Sequence, residues 1–228
     1  PEIDFLIEDL ETSNKASDVL KKQEGSYTDL YFNYTINQDL RDRKFRAQDG
    51  YQTFFSQEIP LISDNSEFSN SFEVSKFKKL STKSDTVGKV SFFAKTITSL
   101  NDDVRISKRL NIPTNKLRGF EKGRVGPIDK NDYVGGNHVT TLNLSATLPN
   151  ILEDLDNLDI GVFFDAANIW GVDYNSSLDD KSTIRTSAGI AFNLLTPIGP
   201  LSFSFANAFT KASSDKTETF RFRLGTQF

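Results

Sequence analysis

The chain has 228 residues, a formal net charge of -4 and no cysteine, which excludes a disulfide framework and any thiolate metal site. One histidine is too few for most histidine-based metal or triad chemistry, and the charge balance gives no electrostatic argument for nucleic acid. Only 37% of the residues are apolar although 20 are phenylalanine, and no apolar run reaches the ~18–20 residues of a membrane-spanning helix. Membrane strands stay open as a reading, because they need only about 9–11 residues each and alternate apolar with polar. The length suits one domain over 1–228. Pro1-Glu2-Ile3-Asp4 is acidic and no signal peptide opens the chain, so the start reads as a cut into a longer protein or a mature end.

Residues 3–10 form a short apolar and acidic run, read as the tail of a strand. Residues 14–23 read as a short surface helix with a thin apolar face, capped by Ser13 or Asn14 and ended by Gly25. From residue 28 the period becomes two, with Leu30, Phe32, Tyr34 and Ile36 on one face and Tyr31, Asn33 and Thr35 on the other. Asp49-Gly50 signals a turn. Further strands are expected over 51–60, ending at Pro60, and over 67–78 and 88–99. A long loop over 100–137 follows and carries Leu117-Arg118-Gly119-Phe120, an arginine beside a glycine hinge. Gly135-Gly136-Asn137 reads as the end of that loop, where the chain re-enters the sheet.

Strands are then expected over His138–Leu148, 158–167, 183–195 and 201–209, with Thr196-Pro197-Ile198-Gly199-Pro200 as a tight turn. In 158–167, Ile160, Val162 and Phe164 alternate with Gly161, Phe163 and Asp165. The last run, 220–228, puts Phe220, Phe222, Leu224 and Phe228 on one face and Arg221, Arg223 and Gln227 on the other, with Gly225 between.

About eight or nine such runs, joined by turns rather than helices, predict an all-β antiparallel meander. A soluble sandwich and a membrane barrel both satisfy the alternation. Three features favour the barrel. Short turns at Pro149–Asp156 and Thr196–Pro200 oppose long polar loops. Arginines alternate with phenylalanines at the C-terminus, which suits a wet lumen better than a dry core. The chain also stops on an aromatic in mid-pattern.

Alternation turns Asp165 inward, so a loop folded into the lumen brings Arg118 within reach of it, as a charge-assisted and bidentate pair. On spacing alone, a solvated loop arginine and an unrelated aspartate is the favoured reading. His138 reads as a hydrogen-bonded wall residue rather than a ligand. Asp102-Asp103 and Asp179-Asp180 read as solvated charges without EF-hand spacing. No G-x-S-x-G elbow or phosphate loop is present, and nothing reads as an enzyme site.

LRGF at 117–120, GRVGP at 123–127, VGGN at 134–137, FFDAANIW at 163–170, IRTSAGIAFNLLTPIGPLSFSFA at 184–206 and ETFRFRLGTQF at 218–228 stand in this order over nearly the whole chain. Together they resemble the C-terminal barrel portion of the bacterial surface antigen family, whose members include outer-membrane assembly factors and secretion transporters. The resemblance implies the later nine or ten strands of a barrel of about sixteen. It implies that the RGF loop folds into the lumen, with Arg118, Gly119 and Phe120 docked against Phe163 and Asp165 of an F-x-D-x-G motif. It also implies that the final strand, with Phe220, Phe222, Leu224, Gly225 and Phe228, carries a C-terminal signal and forms one side of a lateral seam where client barrels are inserted. Two positions depart from the family pattern: Ala167 replaces the motif's glycine, and Asn111-Ile112-Pro113-Thr114 stands where many members carry Gly-Gly. The partners implied are outer-membrane lipids, client outer-membrane β-barrel proteins and accessory lipoproteins of an assembly complex, in a Gram-negative outer membrane. No cofactor, metal or catalytic residue is implied. The alternatives are a two-partner-secretion transporter of the same superfamily, a passive porin-like barrel, and a soluble β-sandwich that binds other molecules.

Overall fold

A computed structural model describes residues 1–81, 85–148, 157–178, 182–196 and 199–225. The elements are β1 (Glu2–Leu10), α1 (Asp18–Lys21), β2 (Gly25–Asp39), β3 (Asp49–Ser63), β4 (Glu67–Lys79), β5 (Val87–Ser99), β6 (Ile128–Asp129), β7 (Asp132–Tyr133), β8 (His138–Thr147), β9 (Leu158–Trp170), β10 (Arg185–Thr196), β11 (Gly199–Thr210) and β12 (Phe220–Leu224). Ten of the strands form one antiparallel sheet in the order β1-β2-β3-β4-β5-β8-β9-β10-β11-β12. The order is sequential apart from β6 and β7, which form a small hairpin inside the long loop. The sheet is open, with β1 and β12 as its edges.

The two faces follow the period of two. Val90, Phe92, Leu142, Leu144, Val162, Phe164, Ile190, Phe205, Phe220 and Phe222 are large and exposed on one face. Their neighbours Ser75, Ser91, Thr141, Asp165, Ser187 and Ser204 are buried on the other. A soluble sheet buries its aromatic face, whereas this one buries its polar face under the loop. Among the described residues no helix is long and apolar enough to cross a membrane.

The sheet is rolled. From β4 to β12 is six strand steps along the sheet order, which would span ~29 Å if flat. Yet Glu73 of β4 binds Lys116, and Arg221 of β12 grips the carbonyls of Thr114 and Leu117, all within one short stretch of loop. The concave face therefore wraps around the loop. Its apolar core sits there, with Phe93, Ile97, Leu110, Leu117, Phe120, Val139, Ala167 and Ile169 packed together. Ala167 is buried in this cluster.

Several boundaries differ from the sequence expectations. The helix is one turn, Asp18–Lys21, and its cap is Ser17, whose hydroxyl accepts from the Leu20 amide at 3.2 Å. Ala16 and Leu20 are buried and Val19 packs half-buried beside them, too little apolar surface to support a longer helix. The strand expected to end at Pro60 runs to Ser63, because a bulge absorbs the missing proline amide: Leu30 pairs Ile62 while Tyr31 pairs Pro60. The strand expected over 158–167 continues to Trp170, carried by its pairing with His138–Thr140 of β8. The turn expected over Pro149–Asp156 lies outside the described residues. So do Pro197 and Ile198, although Thr196 and Gly199 on either side of them pair with each other.

Candidate functional site

One row of inward positions crosses five strands: Ser75, Ser91, Asn143, Asp165 and Ser187 are successive register partners. Strand pairing alone sets these polar groups side by side; Ser75 and Ser91 bond each other, and Asn143, Asp165 and Ser187 receive the tip of the 100–137 loop. Arg118 donates from Nε to Asp165 Oδ2 at 2.8 Å and from Nη2 to Oδ1 at 2.7 Å, and its backbone amide adds a third bond at 3.0 Å. Asn143 donates to Asp165 Oδ1 at 2.9 Å and to the Lys116 carbonyl at 2.7 Å. Ser187 donates to the Arg118 carbonyl at 2.5 Å. The Asp165 side chain is 0% exposed and that of Arg118 is 20% exposed, so the pair works at low dielectric where charge-assisted bonds are strong.

The Arg118 guanidinium also lies 3.4 Å from the centroid of the Phe163 ring. That ring has room because Gly189 faces it across β10: a Cβ there would come 2.9 Å from Phe163 Cζ and 1.9 Å from the Phe205 carbonyl oxygen. Gly119 has φ of 84°, and a Cβ on it would stand 3.2 Å from the Cβ atoms of Ala206 and Ser187. The glycine thus supplies both a left-handed turn and a close approach. Leu117 and Phe120 on either side are buried. Gly135 and Gly136 return the loop to the sheet, Gly136 by two backbone bonds with Leu110. Asn137 then accepts from the Ile97 amide at 2.9 Å. His138 opens β8 with its ring 5.5 Å from that of Trp170.

Four further anchors carried no motif. Arg105 is 1% exposed and donates to Glu67 Oε1 at 3.0 Å and Oε2 at 2.9 Å, to Asp29 Oδ2 at 2.5 Å and to Glu8 Oε2 at 3.4 Å. These bonds outweigh the desolvation that opposes its charge and push its pKa above the usual guanidinium value. Arg109 donates to Asp173, to Asn137 Oδ1 at 3.0 Å and to the Val104 carbonyl at 3.1 Å. Burial opposes ionisation of Asp173, but the Val104 amide, Arg109 and Asn137 outweigh it and hold its carboxyl below the ordinary range. Lys116 pairs with Glu73 at 2.6 Å. Arg185 donates to Asp215 Oδ2 at 2.9 Å. One signal for the first anchor did exist: Glu8, Asp29 and Glu67 are three carboxylates at positions that turn inward, and buried acids need a cation.

In β12, Phe220, Phe222 and Leu224 are exposed, and Phe222 and Phe220 stand 5.2 and 5.1 Å from Phe203 and Phe205 of β11. Gly225 follows with φ of 133°. Phe228 lies outside the described residues, as do Asp179 and Asp180. Asp102 and Asp103 are exposed. Among the described residues no group of three His, Asp or Glu side chains is placed to hold a metal ion. Beneath the loop is a polar cavity of about 390 Å³, lined among others by Glu73, Lys89, Arg118, Asn143, Arg221 and Arg223. The arrangement can hold a loop and water on a charged concave face.

A family model described as the Omp85 superfamily domain matches residues 5–228. The chain is 31% identical over 139 residues to the outer membrane protein assembly factor BamA of Neisseria meningitidis serogroup B, a match covering 49% of this chain and 17% of that protein. It is 26% identical over 117 residues to the same-named protein of Neorickettsia risticii, covering 50% of this chain and 16% of that protein. It is also similar to the crystal structure of BamA from Haemophilus ducreyi lacking POTRA domains 1-3. There the TM-score is 0.77 at 25% identity, over 86% of this chain and 42% of that one. The matches thus span less than a fifth of each curated relative.

Proposed function

The chain belongs to the Omp85 superfamily, and from that premise we propose that it is the later part of the barrel of an outer-membrane protein assembly factor. It sits in a Gram-negative outer membrane, with its exposed apolar face against lipid and its polar face toward the lumen. Both curated relatives are named as assembly factors, which favours assembly over secretion within the superfamily. The observation that carries the reading is the loop docked on the concave face through Arg118 and Asp165. It occupies part of the concave face beside a polar cavity of about 390 Å³, and in this reading clients leave laterally.

β12 pairs β11 through Phe220–Leu224, and its other edge has no partner among the described residues. Such an edge offers unpaired N–H and C=O groups to an incoming strand. In this reading β12 is one side of the lateral seam, and a client strand adds to it by backbone pairing. The partners are client β-barrel proteins, outer-membrane lipids and accessory lipoproteins of an assembly complex. No covalent chemistry is needed: edge pairing and the local bilayer lower the insertion barrier.

The test is client folding. The full-length protein is reconstituted in liposomes and a urea-unfolded outer-membrane barrel is added. The folded client is then read as its heat-sensitive band shift. The expected result is faster folding than in empty liposomes, slowed by Arg118→Ala. Equal rates with and without the protein overturn the assembly reading.

A further inference from the structure

The long loop touches both ends of the sheet. Near its start, Arg105 reaches β1 through Glu8, β2 through Asp29 and β4 through Glu67, and Ser107 adds a bond to Glu8 at 2.9 Å. Arg105, Asp29 and Glu67 are buried and Glu8 stands half-buried at the rim, so three carboxylates face one guanidinium. The Arg105 guanidinium also lies 4.5 Å from the centroid of the Tyr27 ring. It is a fixed point, because releasing Arg105 would strand buried charge on both sides.

Past its tip, the loop runs beside the segment that leads into β12. Glu218 donates its amide to the Gly119 carbonyl at 3.2 Å, Glu121 to Lys216 at 3.0 Å and Lys216 back to Arg124 at 3.0 Å. These are strand-like bonds, and Phe120 and Thr217 form an antiparallel bridge. Gly126 donates to Asp215 at 3.2 Å and Tyr133 to the Ser214 carbonyl at 2.5 Å. From β12 itself, Arg221 donates to the carbonyls of Thr114, Leu117 and Phe120. The final strand therefore hangs on the loop by backbone and side chain together.

We propose that the 100–137 loop is a brace that positions the final strand, with Arg105 as its fixed anchor on β1, β2 and β4 and Arg221 as its grip on β12. Both are positioning residues. The two edges of the sheet are joined through one loop, as well as through the strands between them. A contiguous chain of bonds of this kind is a physical route by which one edge constrains the other. The brace takes its purpose from the assembly reading, since β12 is the strand that reading assigns to the seam.

The experiment is hydrogen exchange on the full-length protein in lipid nanodiscs, with no client present. Arg221→Met is expected to speed exchange about tenfold at the amides of 119–124 and 216–218, the scale of a lost charge-assisted bond. Arg221→Lys keeps donors for the carbonyls and is expected to retain most of the protection. Equal exchange in the Met and Lys variants overturns the grip. Arg105→Met is expected to deprotect 104–110 and also 216–218, although Arg105 touches none of the latter. Deprotection confined to 104–110, with 216–218 within twofold of the native rate, overturns the brace. Should Arg105→Met fail to fold, Glu8→Gln leaves the buried Asp29 and Glu67 pairs intact. It is expected to speed exchange at 216–218 at least twofold, and no change there overturns the proposal. Client folding does not enter this measurement, so the brace and the assembly reading stand or fall separately.

Discussion

Arg118 and Asp165 meet through two parallel N–H···O bonds of 2.8 and 2.7 Å, at a carboxylate that no solvent reaches. Asn143 and the Arg118 backbone amide satisfy what the guanidinium leaves free. The pair joins residues 47 positions apart, so it reports the path of the whole loop. Arg118→Ala strips the carboxylate of its counter-charge and is expected to cost loop docking about 3 kcal/mol. Exchange of the loop amides should rise roughly a hundredfold, since each 1.4 kcal/mol is tenfold. Adding Asp165→Asn should recover part of that loss, because the buried charge is gone. A double variant no better than the sum of the two single ones would deny the coupling.

Two glycines set the space for that pair. Gly119→Ala forces a left-handed φ on a residue with a Cβ and presses it against Ala206 and Ser187, at a cost of about 1–2 kcal/mol. Gly189→Ala is worse, because its Cβ would strike the Phe205 carbonyl that belongs to the β10–β11 ladder. Gly119→Ala should lower the temperature at which the barrel loses its folded gel mobility by a few degrees. Gly189→Ala should prevent that folded form from accumulating. The reverse ranking would contradict the geometry.

Asp173 gives the loop a pH dependence. Its folded pKa lies below the unfolded value of about 3.9. Its contribution is therefore fully present above that value and is lost as pH falls through the depressed folded value. Lowering pH from 7 to 5 should leave loop protection unchanged, while further acidification below about 4 should release the Arg109 contact first seen at 104–110. Asp173→Asn should remove this acid step. Loss of protection already at pH 6 would point to another group.

Asp215 accepts from Arg185, Gly126 and Ala212. Asp215→Ala leaves the buried Arg185 guanidinium without its carboxylate and is expected to cost about 3–5 kcal/mol. Protease sensitivity at 211–219 and 121–127 should rise together, since the aspartate binds both segments. Cleavage at only one of them would mean that the other is held independently.

Strand positions, their two faces and the inward aim of Asp165 were legible in the sequence because side-chain direction alternates with every residue. The ends of elements were less so. Pro60 looked like a stop, but a bulge across from Leu30 and Tyr31 carried the strand past it. The helix over 14–23 had the right residue types for capping, yet only Ala16 and Leu20 are fully buried, with Val19 half-buried beside them, and one turn formed. The loop looked featureless between its motifs and holds a hairpin of β6 and β7.

Parity along a strand is a local property, and so are the motifs around Arg118 and Phe163. They are enough to say that the chain is a sheet with one apolar and one polar face and that Asp165 points inward, while the pairing of Arg118 with it rested on the family resemblance. Which inward groups meet across the lumen depends on how far the sheet rolls and on the path of a 38-residue loop, 100–137, and neither is encoded within any short window. Only the folded chain brings Arg105 of the loop to Glu8, Asp29 and Glu67 on three different strands, leaves Gly189 bare beneath Phe163, and lays the loop along the segment leading into β12. Charges and close approaches of this kind are settled by distance in space, to which neighbours in sequence contribute little.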